Sequence, residues 1–307
     1  MTAGSALPGG AKFAFTIVDD TDLATVANVK PVYDLLAELG MRTTKTLWTL
    51  PATESNPYDG TQTADEPDYR EFLKSLQQNG FELAMHGVRA HSSVRADVLD
   101  GLARFEDWFG APRMHINHFN NADNVYWADA RLSGFVPRLA YRVAAKTPPA
   151  LGHVEGSDYF WGDVCRERID WVRSFTVRRT NLSGMRTPLA YADAERPFVR
   201  AFFLSSEGGT LEDFLARIAE PEQDGLAAGG VCVMYTHFGD RFCVDGQLNT
   251  EFERLMRRLA SLDGGWFPTA SELLDHLYPQ TPDPISRRQR AAIERNWLTE
   301  RLRHGSS

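Results

Sequence analysis

Acidic and imidazole side chains occur where four predicted strands end. The apolar segment 12–18 runs into Asp19 and Asp20, and the strand predicted at 81–86 ends in His86. Two later strands, predicted at 114–118 and 231–236, carry or precede the other imidazoles: His115, His118 and His237. Because the carboxyl ends of parallel strands meet at one face of a barrel, we expect these groups to converge. Carboxylates and imidazoles at one mouth indicate metal-assisted hydrolysis.

The ligand set can be predicted in part. One carboxylate, two imidazoles and an open position are typical of a catalytic metal site, and the candidates are one of the two aspartates after the first strand and His86. The third ligand is either His118, which is nearest a strand end, or His91, which lies in the loop after His86. His115 and His118 point to opposite faces of a strand, so one of them is expected to be structural. Nitrogen and oxygen ligands suit Zn²⁺, with Co²⁺ or Ni²⁺ as alternatives.

A hydrolase also needs groups that move protons and hold substrate. Adjacent carboxylates at a strand end point in different directions, so one of Asp19 and Asp20 can bind a metal while the other acts as base. His237 is predicted to be the general acid for a leaving amine. Substrate contacts are expected from aromatic side chains that can stack on sugar rings and from one arginine: Trp127, Trp161 and Arg186.

The elements that must position these groups alternate between short apolar strands and amphipathic helices. This alternation is typical of parallel βαβ units. The whole pattern predicts an α/β protein with a closed or nearly closed (β/α)7-type barrel. We predict an N-terminal extension at 1–11, a single barrel domain at 12–278 with an aromatic-rich insertion after strand four at about 119–160, and a basic helical tail at 279–307. The tail either docks on the barrel or forms an arm that binds a partner.

The composition disfavours several classes of protein. The 307 residues are 43% hydrophobic and 24% charged, which is ordinary for a globular protein. The formal net charge of −8 disfavours nucleic acid and anionic membranes as partners. The three cysteines form no CxxC pair, and no run of about 18 apolar residues predicts a membrane span. The first residues lack a signal-peptide pattern, which predicts a cytoplasmic protein. The formation of a homo-oligomer is compatible with the sequence and is left as an alternative.

Four segments resemble the NodB-homology polysaccharide deacetylase superfamily. TIVDDT at 16–21 is similar to that family's T-F-D-D-G motif, and HGVRAH at 86–91 is similar to its two-histidine motif. His237 matches a late strand-end histidine of the family, and WFPTASELLDHL at 266–277 is similar to its last strand and helix. Thr21 stands at the position of the motif's glycine, and HFNN at 118–121 stands where the family has R-P-P-Y-G.

The resemblance extends over roughly residues 12–278. It implies a distorted (β/α) barrel and a metal-dependent deacetylase. It also implies roles for individual side chains: Asp19 as catalytic base, Asp20, His86 and His91 as metal ligands, and His237 as the group that protonates the leaving amine.

The function predicted from residues and resemblance together is a metal-dependent hydrolase that removes an N-acetyl or similar acyl group from a sugar or glycoconjugate. The predicted substrate is a small, lipid-linked or nucleotide-linked carbohydrate. Two alternatives stay open. One is a hydrolase of small amides on the same fold, similar to allantoinase. The other is a barrel without catalytic activity that binds a carbohydrate or a partner.

Overall fold

A closed barrel of parallel strands forms the centre of the molecule. The computed structural model describes residues 7–145 and 147–304. Its strands, in chain order, are β1 (Phe13–Asp19), β2 (Thr44–Leu47), β3 (Glu82–Met85), β4 (Met114–His115), β5 (Trp171–Val177), β6 (Ala190–Tyr191), β7 (Ala201–Glu207), β8 (Gly230–Thr236), β9 (Cys243–Val244), β10 (Gln247–Leu248) and β11 (Gly265–Trp266). Seven of them pair in parallel in the order β1-β2-β3-β4-β5-β7-β8, and β8 pairs again with β1. The predicted (β/α)7-type barrel is therefore confirmed.

The barrel is distorted because its strands pair over very different lengths. β1 and β8 pair along their whole length, from Phe13↔Gly230 to Asp19↔Thr236. β7 and β8 pair only at their carboxyl ends, at Ser206↔Met234 and Glu207↔Tyr235. Beside this short seam, β6 pairs antiparallel with β7, and the Leu182 amide donates to the Val231 carbonyl at 2.8 Å. The segment before β6 thus makes backbone hydrogen bonds to β8 where β7 and β8 do not pair with each other.

Helices surround the barrel. In chain order they are α1 (Val26–Glu38), α2 (Pro67–Gln78), α3 (Arg95–Phe109), α4 (Phe135–Ala145), α5 (Gly162–Arg168), α6 (Leu211–Arg217), α7 (Glu220–Ala227), α8 (Thr250–Ser261), α9 (Ala270–Leu277) and α10 (Arg287–His304). A capping box between Thr25 and Asn28 begins α1. Two short 3-10 helices lie at Pro8–Gly10 and Ala128–Arg131. No helix in the described ranges is long and apolar enough to cross a membrane.

The packing of the strands explains their sequences. All seven residues of β1 are buried, because one face lines the barrel interior and the other packs against helices. β5, β7 and β8 are buried along their whole length in the same way. Polar side chains therefore have access to solvent mainly beyond the strand ends, which is where the loops of the barrel lie.

The C-terminal helix α10 packs against the barrel and the insertion. Trp297 is fully buried. Its ring lies 5.7 Å from Phe175 of β5 and 5.4 Å from Tyr141 of α4, measured between centroids. Of the two arrangements predicted for the basic tail, this geometry agrees with a docked helix.

We expect Trp297→Ala to lower the free energy of unfolding by about 3–5 kcal/mol, because removing a buried indole leaves a cavity. Leu302→Ala on the same helix is the control. Its side chain is 85% exposed, so we expect a change of about 0.5 kcal/mol or less. Urea unfolding of both variants measures the difference. Equally small losses would contradict the docking of α10.

Candidate functional site

Three buried side chains converge at the carboxyl ends of β1, β3 and β4. They are Asp22, His86 and His118, and one ligand atom of each lies within 4.8 Å of the others. Asp22 Oδ1 is 3.5 Å from His86 Nε2 and 3.3 Å from His118 Nε2. We call these three residues the Asp-His-His cluster. Carboxylate oxygen and imidazole nitrogen are the ligands of many catalytic zinc sites.

The turn after β1 brings Asp22 into the cluster. Leu23 has a positive φ of 62°, and its amide donates to Thr61 Oγ1 at 2.9 Å. The loop between β2 and α2 therefore holds this turn. Gly239 approaches the turn from the other side, and a Cβ on Gly239 would lie 2.6 Å from the Asp22 carbonyl oxygen. Only a glycine allows such close contact, so the loop after His237 packs directly against the loop that carries Asp22.

Neighbouring groups fix the two histidines. His118 Nδ1 lies 3.3 Å from Asn121 Oδ1, and donation to this oxygen leaves the Nε2 lone pair directed at Asp22. His86 stacks on Trp48 with an interplanar angle of 17°. The Trp48 indole in turn donates to the His86 carbonyl at 2.8 Å. Both rings are therefore held in place by the surrounding protein.

The cluster satisfies a simple test for a cation site. Asp22 Oδ1 and His118 Nε2 are buried and have no hydrogen-bond partner among the described residues. Buried polar atoms without partners are costly and rare in folded proteins. A divalent cation between them would satisfy both atoms at once. The donor set of two nitrogens and one oxygen suits Zn²⁺.

His237 lies on the open side of Asp22. Its Nε2 is 3.2 Å from Asp22 Oδ2, and its Nδ1 is 2.7 Å from the Gly209 carbonyl oxygen, to which it donates. Burial acts to lower the pKa of His237. The hydrogen bond and the charge attraction to Asp22 outweigh this effect and raise the pKa of His237 to about 9. For the Asp22 carboxyl, burial opposes ionisation, yet contact with His118, His237 and His86 holds the pKa well below its usual range.

Asp20 lies beside the Asp-His-His cluster, not within it. Both of its oxygens accept hydrogen bonds from the Arg173 guanidinium, at 3.0 and 2.6 Å. Its Oδ2 is 3.8 Å from His86 Nε2. Asp20 is the carboxylate ligand predicted from the sequence, whereas in the structure Asp22 is the carboxylate that lies within 4.8 Å of both imidazoles and Asp20 pairs with a fork of donors.

Asp19 faces away from the cluster. Successive residues of an extended chain point to opposite faces, so Asp19 points toward α1 while Asp20, the next residue, points inward. Its Oδ2 accepts from Lys45 Nζ at 2.8 Å and from the Tyr33 hydroxyl at 2.9 Å, and its Oδ1 accepts from the Phe238 amide at 2.7 Å. Burial raises the pKa of Asp19 although Lys45 lowers it. The predicted base is thus enclosed in a buried ion pair.

The remaining predicted site residues lie away from the cluster. His91 Nε2 accepts from the Thr53 amide at 2.9 Å, within the loop after β2. Trp161 is buried, and its indole donates to the Asp123 carbonyl. Trp127 is buried beneath Arg131. Arg186 is exposed and lines a groove beside α10. The structure therefore does not offer either tryptophan as an open stacking surface.

Besides Asp22, two residues beside the cluster were not predicted from the sequence. Arg173 reaches Asp20 from the middle of β5, and Tyr58 packs against His118 with ring centroids 4.9 Å apart. Tyr58 belongs to the loop between β2 and α2 and is only partly buried. An arginine inside an otherwise apolar strand is the one signal in the sequence that could have identified Arg173, because an unpaired guanidinium is rarely buried.

His115 is the structural histidine of the pair on the fourth strand. Its ring packs against Trp161 at 4.9 Å, and its Nε2 lies 3.2 Å from Asn117 Oδ1. Burial lowers the pKa of His115 to about 3. The unfolded chain therefore binds one more proton than the native protein between pH 6.5 and 3, and the stability that His115 contributes above pH 6.5 is lost as the pH falls.

We expect His115→Gln to weaken this pH dependence. Between pH 7 and 5 the variant should lose about 2 kcal/mol less unfolding free energy than the wild type, since one buried titrating group is gone. Urea unfolding at the two pH values measures this. An unchanged pH dependence would show that His115 titrates in the native protein as it does in the unfolded chain.

Comparison with known proteins supports the fold. No protein-family profile matches the sequence, and no curated protein matches it. A provisionally assigned polysaccharide deacetylase from Mycobacterium smegmatis superimposes with a TM-score of 0.54 at 12% identity, covering 92% of this chain and 96% of that chain. This chain therefore shares its fold with that protein.

Two further structures align over most of their length with lower TM-scores. The Bacillus subtilis peptidoglycan deacetylase PdaC gives 0.42 at 12% identity, covering 94% of this chain and 98% of that chain. A provisionally assigned polysaccharide deacetylase from Bordetella bronchiseptica, involved in O-antigen biosynthesis, gives 0.40 at 13% identity, covering 94% and 93%. The fold conclusion rests on the Mycobacterium smegmatis structure alone.

Proposed function

We propose that this protein is a metal-dependent hydrolase that removes an N-acetyl or similar acyl group from a carbohydrate. One observation carries the proposal: the buried Asp-His-His cluster lies at the mouth of a barrel with the polysaccharide-deacetylase fold, between Asp20 and His237. A metal site flanked by one carboxylate and one imidazole has the groups that hydrolysis of an amide needs.

In this proposal Asp22, His86 and His118 hold a divalent cation, most simply Zn²⁺. Such a cation supplies Lewis-acid activation of a water and of the amide carbonyl. Asn121 keeps the His118 ring in its ligating orientation. The loop between β2 and α2 keeps the Asp22 turn in place.

Asp20 is the proposed general base. Its Oδ2 faces the cluster, 3.8 Å from His86 Nε2, and the Arg173 fork fixes the direction of its lone pairs. A carboxylate in this position can take a proton from a water held at the cluster. This role replaces the one expected for Asp19, which faces away from the cluster and is enclosed by Lys45, Tyr33 and a backbone amide.

His237 is the proposed general acid. The bond from Nδ1 to Gly209 fixes the ring, so the proton on Nε2 points toward Asp22 and the cluster. From there it can pass to the nitrogen of the departing amine. Tyr58 is the partly exposed ring nearest His118, and it is the proposed stacking surface for a sugar in place of Trp127 and Trp161.

The test is zinc-dependent release of acetate. We would treat the protein with a chelator, restore Zn²⁺, and measure acetate from N-acetylated oligosaccharides and a nucleotide-linked N-acetyl sugar, with allantoin as the small-amide comparison. We expect release from a sugar substrate that disappears on chelation and returns with Zn²⁺. Turnover of allantoin alone, or sugar binding without turnover at every metal loading, would contradict the proposal.

A further inference from the structure

A buried arginine next to the site has no carboxylate partner in the part of the chain that the structure describes. Arg131 ends the short helix Ala128–Arg131 and is only 4% exposed. Its Nη1 donates to the Ser174 carbonyl at 3.2 Å, and its Nε finds no acceptor among the described residues. Burying a guanidinium without a counter-charge is costly, so an additional interaction is needed to balance it.

Aromatic rings offset part of this cost. The Arg131 guanidinium lies 3.5 Å from the ring centroid of Trp127 and 4.6 Å from that of Trp297. Cation–π contacts of this kind stabilise a cation, but they leave its net charge in place. The aromatic rings therefore do not neutralise the positive charge of the buried guanidinium.

The charges around Arg131 are positive. Asp129, two residues earlier, accepts from Arg138 at 3.3 Å and from Arg142 at 2.7 Å, so its carboxylate is already shared by two other cations. Burial lowers the pKa of Arg131 to about 9, and the positive charges of Arg301 and Arg173 act in the same direction. The guanidinium is nevertheless charged at neutral pH.

A small cavity adjoins this cation. It lies between the loop after β4, α4 and α10, and its wall includes Asn124, Trp127, Arg131, Tyr141 and Arg301. No Asp or Glu is present among the described residues that line it. Its volume of about 10 Å³ is about what one water-sized sphere requires.

We propose that this cavity binds one small monovalent anion, of about the size of chloride, against the Arg131 guanidinium. A water molecule would fill the space but leave the buried charge unbalanced, whereas a halide supplies the missing negative charge. Sulfate and phosphate have five heavy atoms and do not fit a cavity of this volume. The proposal is independent of the hydrolytic function.

The anion would also support the loop that carries His118. Asn121 and Asn124 line the same cavity. Asn121 contacts the His118 ring, and the Asn124 amide donates to the His118 carbonyl. An anion held between Arg131 and this loop would therefore stabilise the segment that positions a ring of the Asp-His-His cluster.

The test is the dependence of thermal unfolding on chloride at constant ionic strength. Sodium chloride replaces sodium gluconate stepwise, because gluconate is too large for the cavity. We expect the wild-type Tm to rise by a few degrees and to saturate, as binding to the native state requires. In Arg131→Met the unbranched stem can still lie between the two indoles, and we expect no chloride dependence. Arg288→Met removes an exposed arginine of α10 and should respond like the wild type.

Bromide provides a second measurement that needs no variant. In crystals of the wild-type protein soaked in bromide, we expect an anomalous peak beside the Arg131 guanidinium. The proposal would be overturned if the wild-type Tm did not depend on chloride, or if Arg131→Met responded to chloride as the wild type does. It would also be overturned if no bromide peak appeared in this cavity. Stabilisation by sulfate that depends on Arg131 would overturn the assigned size of the anion.

Discussion

Asp22→Asn is expected to abolish both metal binding and hydrolysis. The substitution removes the only carboxylate of the Asp-His-His cluster and leaves a neutral amide next to His86 and His118. Changing a residue that merely orients a metal ligand costs about 10–100-fold in metal affinity, so we expect loss of a direct ligand to cost more. Zinc titration and acetate release, measured on the same preparation, give the two readouts.

Asp20→Asn is the matched comparison. Asp20 is as buried as Asp22 but pairs with Arg173 and lies outside the cluster. We expect zinc affinity to stay within about tenfold of the wild type, while kcat falls by about 10²–10⁴, the usual contribution of a general base. If Asp20→Asn loses zinc and Asp22→Asn retains it, Asp20 is the metal ligand, as predicted from the sequence, and the assignment made from the structure is wrong.

Lys45→Met is expected to lower the free energy of unfolding by about 3–5 kcal/mol, since it leaves the Asp19 carboxylate buried without its counter-charge. Lys45 and Asp19 are both 0% exposed, and their charged atoms are 2.8 Å apart. The pKa of Lys45 is raised although its burial acts to lower it, because Asp19 attracts the proton. Urea unfolding at neutral pH measures the loss.

Lys30→Met is the control for the ion pair. Lys30 and Asp34 are 55% and 63% exposed and lie one turn apart on α1, so we expect a loss of about 0.3–0.5 kcal/mol. The double variant Asp19→Leu/Lys45→Met should recover much of the stability lost in Lys45→Met, because no charge is left unpaired. Similar small losses for Lys45→Met and Lys30→Met would contradict a structural role for the buried pair.

The barrel could be predicted from sequence because its strands are short apolar runs that alternate with amphipathic helices. The placement of His86, His118 and His237 beyond strand ends follows from the same pattern. The carboxyl ends of all strands of a parallel barrel lie at one face, so these residues come together there regardless of the loop conformations. These three rings do lie around one carboxylate, Asp22.

The identity of that carboxylate could not be predicted with the same reasoning. Three aspartates lie within four residues at the end of β1, and the period of a strand distinguishes the directions of Asp19 and Asp20 but does not place Asp22. Asp22 reaches the cluster because Leu23 adopts a left-handed conformation and Gly239 leaves room for the turn. Both causes are tertiary, since a leucine does not by itself favour a positive φ.

The loop residues show a second limit. His91 follows His86 by five residues, which suggested a shared metal, but the intervening turn directs its ring toward Thr53. Trp127 and Trp161 occur in an aromatic-rich segment, and aromatic residues are as often part of a core as of a binding surface. Both tryptophans belong to the core: Trp127 packs against the buried Arg131, and Trp161 packs against the buried His115.

The most direct test of the account is the position of zinc in crystals of the protein, located by anomalous scattering at the zinc edge. We predict one stoichiometric ion about 2.0–2.2 Å from a carboxylate oxygen of Asp22 and from Nε2 of His86 and His118, the distances usual for oxygen and imidazole ligands. Asp20 should remain on Arg173. An ion ligated by Asp20, Asp19 or His91 in place of Asp22, or no ion at this mouth of the barrel in zinc-saturated crystals, would contradict the assigned metal site and with it the proposed hydrolysis.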